Sequence, residues 1–309
     1  MHRRHFLRTG AGCVAAMAWL GTRACAAEEK IALSDRTKGS LAFQLWCLSG
    51  EQKTDPKKFH AAIRKLAHLG FEGVELGPDY RNYCSGATER KHQGTPADPK
   101  EIGKITRDAG LAITSSHIFP ASEMMGDRLK ANIEWQQAVC NKIVIISDSK
   151  RYLAKNTKDA WLAFAGKFTE IAEALRPLGM QTGYHSHSGD FEPVSDAKDI
   201  PWDLIFGNTP KDVVMEIDYD NVRKHHDLVL KAIKDYAGRG VRMHFKRTAG
   251  IWGAWEKNPR FTAQHKELFD LYETVGKCEW YIIEDPATGT GNLDALKGHV
   301  EFFRKLGKL

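Results

Sequence analysis

Short runs of apolar and β-branched residues recur eight times along the chain and predict eight strands. Each run is apolar on both faces, which is typical of a strand buried under helices in a parallel sheet. The runs are Leu41–Trp46, Gly73–Leu76, Leu111–Ser116, Lys142–Ile146, Met180–His185, Val213–Asp218, Val241–Lys246 and Trp280–Glu284.

The segments between these runs carry apolar residues at the spacing of one helix face. Two such stripes are Phe59, Ile63, Leu66 and Leu69, and Trp161, Phe164, Phe168, Ile171 and Leu175. Gly70, Gly110 and Gly179 come just before a predicted strand, where a glycine commonly ends a helix. The chain therefore alternates strand and helix along its length.

Eight βα units in about 280 residues predict an α/β fold, a single-domain (β/α)8 TIM barrel. A doubly wound open sheet is the competing architecture, but it usually carries a glycine-rich phosphate loop after the first strand. Cys47-Leu48-Ser49-Gly50-Glu51 is no such loop. Two longer segments, Gly77–Pro99 and Arg247–Arg260 with Trp252 and Trp255, are expected to lie over the barrel mouth.

The first 26 residues have the order of an export signal. Arg3-Arg4 and Phe6-Leu7 precede a modest apolar stretch and an Ala-x-Ala site at Ala24-Cys25-Ala26. The paired arginines resemble the twin-arginine signal, which would make the twin-arginine (Tat) translocase a partner during export. We therefore expect residues 1–26 to be cleaved, residues 27–309 to form the barrel catalytic domain, and the protein to be periplasmic or exported.

The charge balance argues against a nucleic-acid partner. The whole chain carries 45 Lys+Arg against 39 Asp+Glu, a formal charge of +6. The predicted signal contains four arginines and no acidic residue, so its removal lowers the charge to +2. No apolar run is long enough to span a membrane, so no stable membrane anchor is expected. Cys47, Cys84, Cys140 and Cys278 remain, too widely spaced for a zinc cluster, and the sequence does not pair them.

Polar and ionisable residues accumulate where the predicted strands end. Since the active site of a TIM barrel lies at the carboxyl ends of its strands, these residues are expected to converge. Packing alone does not explain so many ionisable groups in one place, because a buried unpaired charge is costly. The residues are Gln44, Trp46, Glu75, His117, His185, His187, Glu216, Asp218, His244, Lys246 and Glu284.

The last four strands offer imidazole and carboxylate ligands in series. Such a mixed set suits one divalent ion such as Mn, Zn, Co or Fe better than calcium. His185, Asp218, His244 and Glu284 are the predicted ligands. Glu216 lies one layer deeper on its strand and either lines the substrate pocket or orients a ligand.

These segments together resemble the sugar isomerase/epimerase superfamily, the xylose-isomerase-like TIM barrels, in the branch with Tyr-His-x-His on strand five. The resemblance covers nearly all of the predicted mature chain. Its motifs are Leu41-Ala-Phe-Gln-Leu45, Leu69-Gly-Phe-Glu-Gly-Val-Glu-Leu76, Gly183-Tyr-His-Ser-His187, Phe191-Glu192, Glu216-Ile-Asp218, His244-Phe-Lys246 and Ile283-Glu-Asp285.

The resemblance implies one divalent metal whose ligands come from strands five to eight. Asp218, His244 and Glu284 match by position, whereas relatives commonly have Glu on strand five, where this chain offers His185 or His187. Lys246 is followed by Arg247 instead of the usual aspartate, and the usual Gly-Glu-Gly element before strand eight is missing. These departures from the family pattern bear on which substrate is expected more than on whether a metal is bound.

The function expected is a metal-dependent isomerase or epimerase that removes a proton next to the carbonyl of a sugar or keto sugar. Glu284 or His187 would move the proton and Lys246 would stabilise the oxyanion, while Gln44, Trp46, Glu75, His117 and Glu216 would bind the carbohydrate. The alternative is an exported lyase or hydratase that eliminates the aglycone of a 3-keto-glycoside. A non-catalytic sugar-binding barrel is a third possibility, and an endonuclease is disfavoured by the charge of +2.

Overall fold

The computed structural model describes residues 39–85, 97–147, 153–246 and 259–309, with the side chains of 260–262 left out. The predicted signal, residues 1–26, lies outside the described residues. So do residues 86–96 of the first long segment and residues 247–258 of the second, including Trp252 and Trp255. The predictions for these segments stay predictions.

Eight parallel strands close a barrel in chain order, and β1 pairs with both β2 and β8. This confirms the predicted TIM barrel, and the strand boundaries differ from the predicted ones by no more than two residues. The strands are β1 (Ser40–Gln44), β2 (Gly73–Leu76), β3 (Ala112–Ile118), β4 (Ile143–Ile146), β5 (Gln181–His185), β6 (Val214–Asp218), β7 (Arg242–Phe245) and β8 (Trp280–Ile283).

Ten described α-helices accompany these strands, most of them packed around the outside. They are α1 (Gly50–Thr54), α2 (Pro56–Leu69), α3 (Pro99–Asp108), α4 (Asp127–Ala138), α5 (Lys158–Leu175), α6 (Pro201–Phe206), α7 (Tyr219–Val222), α8 (His226–Asp235), α9 (Pro259–Leu271) and α10 (Lys297–Lys305). None of the described helices has the length and apolar character needed to cross a lipid bilayer.

The predicted apolar stripes form the faces of α2 and α5. Phe59, Ile63 and Leu66 of α2 are fully buried, as are the five stripe residues of α5 to within 4% exposure. Pro56 starts α2 after the N-cap Asp55, whose carboxylate accepts a hydrogen bond from the Lys58 N–H. Gly70 ends the helix with φ of 100°, a left-handed conformation that a side chain would strain.

The apolar core is divided by the wall of the barrel. The large cluster packs outward-facing strand residues such as Phe43, Tyr184 and Phe245 against the surrounding helices. Two small clusters, one around Trp280 and Ile282 and one of Ile143, Ile145 and Val214, are separate from it. Because side chains alternate across a strand, these belong to the inward faces, where the polar residues of the candidate site also lie.

Candidate active site

The strand register brings most of the predicted site residues together at the carboxyl end of the barrel. Gln44 of β1 pairs with Glu75 of β2, and His185 of β5 pairs with Glu216 of β6. Asp218 of β6 pairs with His244 of β7, and Glu284 follows the last residue of β8. Neighbouring strands thus hold these side chains at matching heights in the barrel.

Glu75, His117 and Glu216 form a deep layer whose side chains are almost inaccessible to solvent. Glu75 and Glu216 are 0% exposed and His117 is 5% exposed. His117 Nε2 lies 2.6 Å from Glu216 Oε2 and 3.1 Å from Glu75 Oε2. One imidazole therefore bridges two carboxylates, which compensates for the loss of water around them.

Glu75 is held from below by a chain of hydrogen bonds across the barrel. Gln44 Nε2 donates to Glu75 Oε2 and Ser115 Oγ donates to Glu75 Oε1, both at 2.6 Å. Arg242 Nε donates in turn to Ser115 Oγ at 3.1 Å, and the second arm of the guanidinium donates to the Thr114 carbonyl. Arg242 is 2% exposed, so a buried cation lies beneath the buried anions.

His185 and His244 connect this deep layer to the residues above it. His185 Nδ1 lies 2.8 Å from Glu216 Oε2, and its Nε2 lies 3.7 Å from Asp218 Oδ2. His244 Nε2 lies 2.8 Å from Glu75 Oε2, and its Nδ1 lies 3.1 Å from Glu284 Oε2. Each of these bridging histidines directs one ring nitrogen to a deep carboxylate and the other toward the barrel mouth.

Asp218, Lys246 and Glu284 form an outer layer above the bridging histidines. Lys246 Nζ lies 2.8 Å from Asp218 Oδ2 and 3.8 Å from Glu284 Oε2. The side chains of Lys246 and Glu284 are 25% and 14% exposed, whereas that of Asp218 is 0% exposed. Lys246 and Glu284 of the outer layer are thus the part of the cluster that solvent reaches.

Burial and charge shift the pKa values of the deep layer in opposite directions. Burial raises the pKa of Glu75, and the neighbouring Glu216 carboxylate adds to that rise. Burial opposes ionisation of Glu216 as well, but His244 and His117 outweigh it and hold its pKa well below the usual range. The pair is therefore expected to keep its negative charge mainly on Glu216.

The pKa values of the two bridging histidines, His185 and His244, are also shifted in opposite directions. Burial lowers the pKa of His185 well below its usual value. Burial acts in that direction on His244 too, but Glu216 and Glu75 raise its pKa well above the usual value. His185 is accordingly neutral and keeps a lone pair available as a ligand.

In the outer layer, burial raises the pKa of Asp218 to about 7 although Lys246 counteracts it. The pKa of Glu284 is lowered despite burial, chiefly by the hydrogen bond and the charge of His244. The pKa of Lys246 is raised because Asp218 and Glu284 outweigh its partial burial. Glu284 is thus the ionised carboxylate of this layer, and Lys246 is its cation.

His187 and Trp46 lie at the edge of the cluster. The His187 ring centroid is 5.1 Å from that of His185, and the His187 main-chain N–H donates to Asp190 Oδ2 at 2.6 Å. Tyr184 Oη donates to the same carboxylate, so Asp190 fixes the segment that carries His187. His187 is half-buried, in contrast to the deep layer.

Trp46 is the most exposed large apolar side chain of the described residues, at 42%. It lies just beyond β1, and Gly77 just beyond β2 packs against its main chain. A Cβ at position 77 would lie only 2.7 Å from the Trp46 Cβ, so a glycine is needed for this close approach. The indole is thereby presented at the mouth of the barrel.

Two overlapping sets of four residues bring their donor atoms within 4.8 Å of one another, which is compact enough for a single metal ion. One set is His117, His185, Glu216 and His244, and the other is His185, Asp218, His244 and Glu284. In the first set, Glu216 Oε2 itself occupies the space between the three imidazoles. The second set, which is the one predicted from the sequence, is the one that reaches solvent.

The residues of the second set fit a divalent ion by their orientation as well as their chemistry. Metal-binding histidines usually have their other ring nitrogen fixed by a carboxylate, and Glu216 and Glu75 contact His185 and His244 in this way. Among the described residues, Glu216 Oε1 and His244 Nε2 are buried without a hydrogen-bond partner, which is uncommon for buried polar atoms. Two imidazoles and two carboxylates also match the preferences of Mn, Zn, Co or Fe.

Sequence reasoning missed several residues that support the cluster, among them Ser115, Asp190, Asn221 and Arg242. Ser115 is the register partner of Glu75 on the neighbouring strand, whereas Arg242 of β7 reaches Ser115 only because the barrel closes, and no local pattern reveals that contact. Asn221 lies one helical turn after Asp218 and donates to Asp218 Oδ2 at 2.8 Å. Inspection of the first turn after each strand would have identified it.

No protein-family model and no curated protein matches the chain. Solved structures do match. A sugar phosphate isomerase/epimerase from Parabacteroides distasonis superposes with a TM-score of 0.58 at 18% identity, over 86% of this chain and 96% of that one. An L-ribulose 3-epimerase gives a TM-score of 0.58 at 14% identity, over 87% and 94% of the two chains.

A third match is the probable 3-DHS dehydratase AsbF of Bacillus anthracis, which is involved in petrobactin synthesis. Its TM-score is 0.56 at 11% identity, over 86% of this chain and 98% of that one. At such identities the three likenesses establish the fold alone. The chemistry has to be argued from the residues of this chain.

Proposed function

We propose that the protein is a divalent-metal-dependent isomerase or epimerase that removes a proton next to the carbonyl of a sugar or keto sugar. The observation that carries the proposal is the pair of bridging histidines. His185 Nδ1 is hydrogen-bonded to the buried Glu216, and His244 Nε2 lies 2.8 Å from the buried Glu75. The other ring nitrogen of each histidine is directed to an outer carboxylate, Asp218 or Glu284. The likeness to a sugar phosphate isomerase/epimerase and an L-ribulose 3-epimerase is consistent with it.

His185, Asp218, His244 and Glu284 would hold the ion. When bound, it supplies Lewis-acid stabilisation of negative charge on substrate oxygens. The deep layer does not need to touch the sugar for this. Gln44, Glu75, His117 and Glu216 are at most 5% exposed and lie beneath the bridging histidines. We assign them to orienting these histidines, instead of the sugar contacts expected from the sequence.

Proton transfer falls to the residues around the mouth. Glu284 is the unprotonated and partly exposed carboxylate at the mouth, so it has the lone pair and the access needed to accept the proton from the carbon next to the carbonyl. The electron pair of that C–H bond moves to the carbonyl oxygen, where the Lys246 ammonium stabilises the negative charge. We assign the return of a proton to His187, which lies at the end of strand five, and the product is an epimer or an isomer depending on the carbon that receives it.

The test is solvent exchange. The protein, loaded separately with Mn, Co or Zn, is incubated in D₂O with a panel of keto and aldo sugars, and deuterium at carbons next to the carbonyl is followed by NMR. We expect incorporation with at least one sugar, and its loss in Glu284→Gln. Glu273→Gln is the matched control, because Glu273 is a carboxylate bonded to Tyr281 away from the cluster. The absence of exchange with every sugar and metal would refute the proposal.

Elimination is the second candidate, and the position of His187 favours it. His187 is half-buried at the mouth and fixed through Asp190, where it is suited to donate a proton to a departing oxygen. After Glu284 removes the α-proton, the electron pair of the C–H bond would form a C=C bond, the C–O bond to the aglycone would break, and His187 would protonate the departing oxygen. Release of a chromogenic aglycone from a 3-keto-glycoside, but not from the unoxidised glycoside, would identify this reaction. Exchange into free sugars without aglycone release would reject it.

A further inference from the structure

Asn221 in α7 uses both ends of its side-chain amide within the cluster. Its Nδ2 donates to Asp218 Oδ2 at 2.8 Å and to the Ser186 carbonyl at 3.2 Å. Its Oδ1 accepts a hydrogen bond from Lys246 Nζ at 3.1 Å. The amide thus connects the end of β5, the carboxylate of β6 and the lysine after β7.

The position of Asn221 is fixed by the start of α7. Asp218 is the N-cap of this helix, and its Oδ1 accepts a hydrogen bond from the Asn221 main-chain N–H at 3.3 Å. The neighbouring Asp220 accepts a hydrogen bond from the main-chain N–H of Lys246 at 2.7 Å. One helical turn therefore holds both the backbone and the ammonium group of Lys246.

Asp218 and Glu284 also contact Lys246 Nζ, and both are candidate metal ligands. Asn221 Oδ1 differs from them because it is neutral and lies outside the ligand set. It is therefore the contact that Lys246 does not share with a bound ion. An uncharged acceptor also directs an ammonium group without neutralising it.

We infer that Asn221 is a positioning residue: its Oδ1 directs the Lys246 ammonium toward the reacting oxygen, and its Nδ2 orients Asp218 as a ligand. The role of Lys246 in this inference rests on the proposed function. The orientation of Asp218 rests only on the proposed metal site, and not on the proposed reaction, because it concerns metal affinity alone.

The first test is a double-mutant cycle. At saturating metal, Asn221→Ala is expected to lower kcat about tenfold or more while KM changes less than about threefold, since a hydrogen bond to a charged group is lost. In a Lys246→Met background the same substitution is expected to lower kcat less than about twofold further. Asn221→Asp keeps an acceptor oxygen for Lys246 but replaces the Nδ2 donor with a carboxylate oxygen that faces Asp218, so it is expected to lower kcat at least as much as Asn221→Ala. Independent, multiplicative losses in the cycle would overturn the inference.

The second test does not depend on activity. Calorimetric titration with Mn or Zn is expected to show a Kd about tenfold higher or more for Asn221→Ala than for the wild type. Asn208→Ala is the control, since the Asn208 amide donates to a helix carbonyl far from the cluster. Competitive acetylation read by mass spectrometry is expected to label Lys246 several times faster in Asn221→Ala, relative to the exposed Lys224 as an internal standard.

These measurements separate the two proposals. If the wild type exchanges no sugar but Asn221→Ala still weakens metal binding and exposes Lys246, the proposed function fails and the positioning role stands. If exchange is observed but metal affinity and Lys246 labelling are unchanged in Asn221→Ala, the positioning role fails. Thermal unfolding of each variant shows whether its fold is intact before either conclusion is drawn.

Discussion

The deep and outer layers each place one basic side chain between two carboxylates, His117 in the deep layer and Lys246 in the outer one, yet they are built in different ways. The deep carboxylates Glu75 and Glu216 lie within strands. Their contacts with His117 and the bridging histidines are all made inside the cluster. The outer residues Asp218, Lys246 and Glu284 lie at or just beyond strand ends, and two of them are open to solvent. The two layers are distinguished by how deep their side chains lie in the barrel.

This difference shows how one barrel holds some charged side chains in fixed contacts and leaves others accessible for chemistry. Buried ions survive only where partners compensate for lost hydration, so the deep layer is held by its own contacts and by Gln44, Ser115 and Arg242. Such a layer can orient the ring nitrogens of the bridging histidines, but its side chains have almost no exposed surface for a substrate to contact. The outer layer can exchange partners because water or a ligand replaces what it loses. We therefore expect substitutions in the two layers to damage different properties.

The largest effect is expected in the outer layer, from Asp218→Asn. Loss of a ligand carboxylate should reduce bound metal from about one ion per chain to nearly none, and turnover by about three orders of magnitude or more. Elemental analysis of the purified protein measures the metal directly. The control is Asp212→Asn, because Asp212 precedes the same strand and pairs with Arg176 at its opposite end. Equal metal content in the two variants would contradict the separation of the layers.

Glu216→Gln in the deep layer should instead destabilise the fold. Removal of one partner from a buried ionic network costs about 3–5 kcal/mol of unfolding free energy, since the remaining groups lose their compensation. Metal affinity should also fall about 10- to 100-fold as His185 loses its orienting carboxylate. Urea denaturation of the metal-free protein measures the first effect. Glu170→Gln, which breaks only an exposed pair with Lys167, should leave the midpoint nearly unchanged.

Lys246→Met should separate chemistry from binding within the outer layer. Loss of a preorganised oxyanion donor typically lowers kcat about 10²- to 10³-fold. Metal content and stability should remain close to those of the wild type, because Lys246 is partly exposed and is not a ligand. Steady-state kinetics with the sugar that shows exchange provides the measurement. Lys224→Met is the matched control, because Lys224 forms an exposed pair with Glu192, and it should leave kcat unchanged.

The sequence predicted the barrel and most of the cluster because strand periodicity and strand ends are local features. Asp218, His244 and Glu284 each stand at the end of an apolar run, and parallel closure alone brings them together. The set His185, Asp218, His244 and Glu284 is indeed one of the two compact sets. Its role in binding metal stays a prediction.

The depth of each side chain in the barrel was harder to predict from the sequence than which side chains come together. Glu75 and His117 were expected to contact sugar, but their burial depends on the bridging histidines above them and on the register between β2 and β3, which shifts after Val74. The supports Ser115 and Arg242 come from strands far apart in sequence, so no spacing in the chain reveals their contact. Long-range closure, and not residue type, determines these contacts.

The smallest effect, the pH dependence of metal binding, tests whether the outer layer behaves as its geometry indicates. Burial raises the pKa of Asp218 to about 7, so the metal-free protein holds a proton there that a metal ion must displace. Metal Kd should therefore be about tenfold higher at pH 6 than at pH 8, and the raised pKa of His244 acts in the same direction.

The same shift has the opposite sign for the stability of the metal-free fold. A carboxyl group whose pKa is raised on folding stabilises the folded protein below its unfolded pKa of about 3.9, and this contribution is lost as the pH rises through about 7. Rising pH should thus tighten metal binding while it weakens the metal-free protein. Calorimetric titrations and urea midpoints between pH 5 and 8 measure both. If the pH dependence of the urea midpoint survived unchanged in Asp218→Asn, it would have to be assigned to another group.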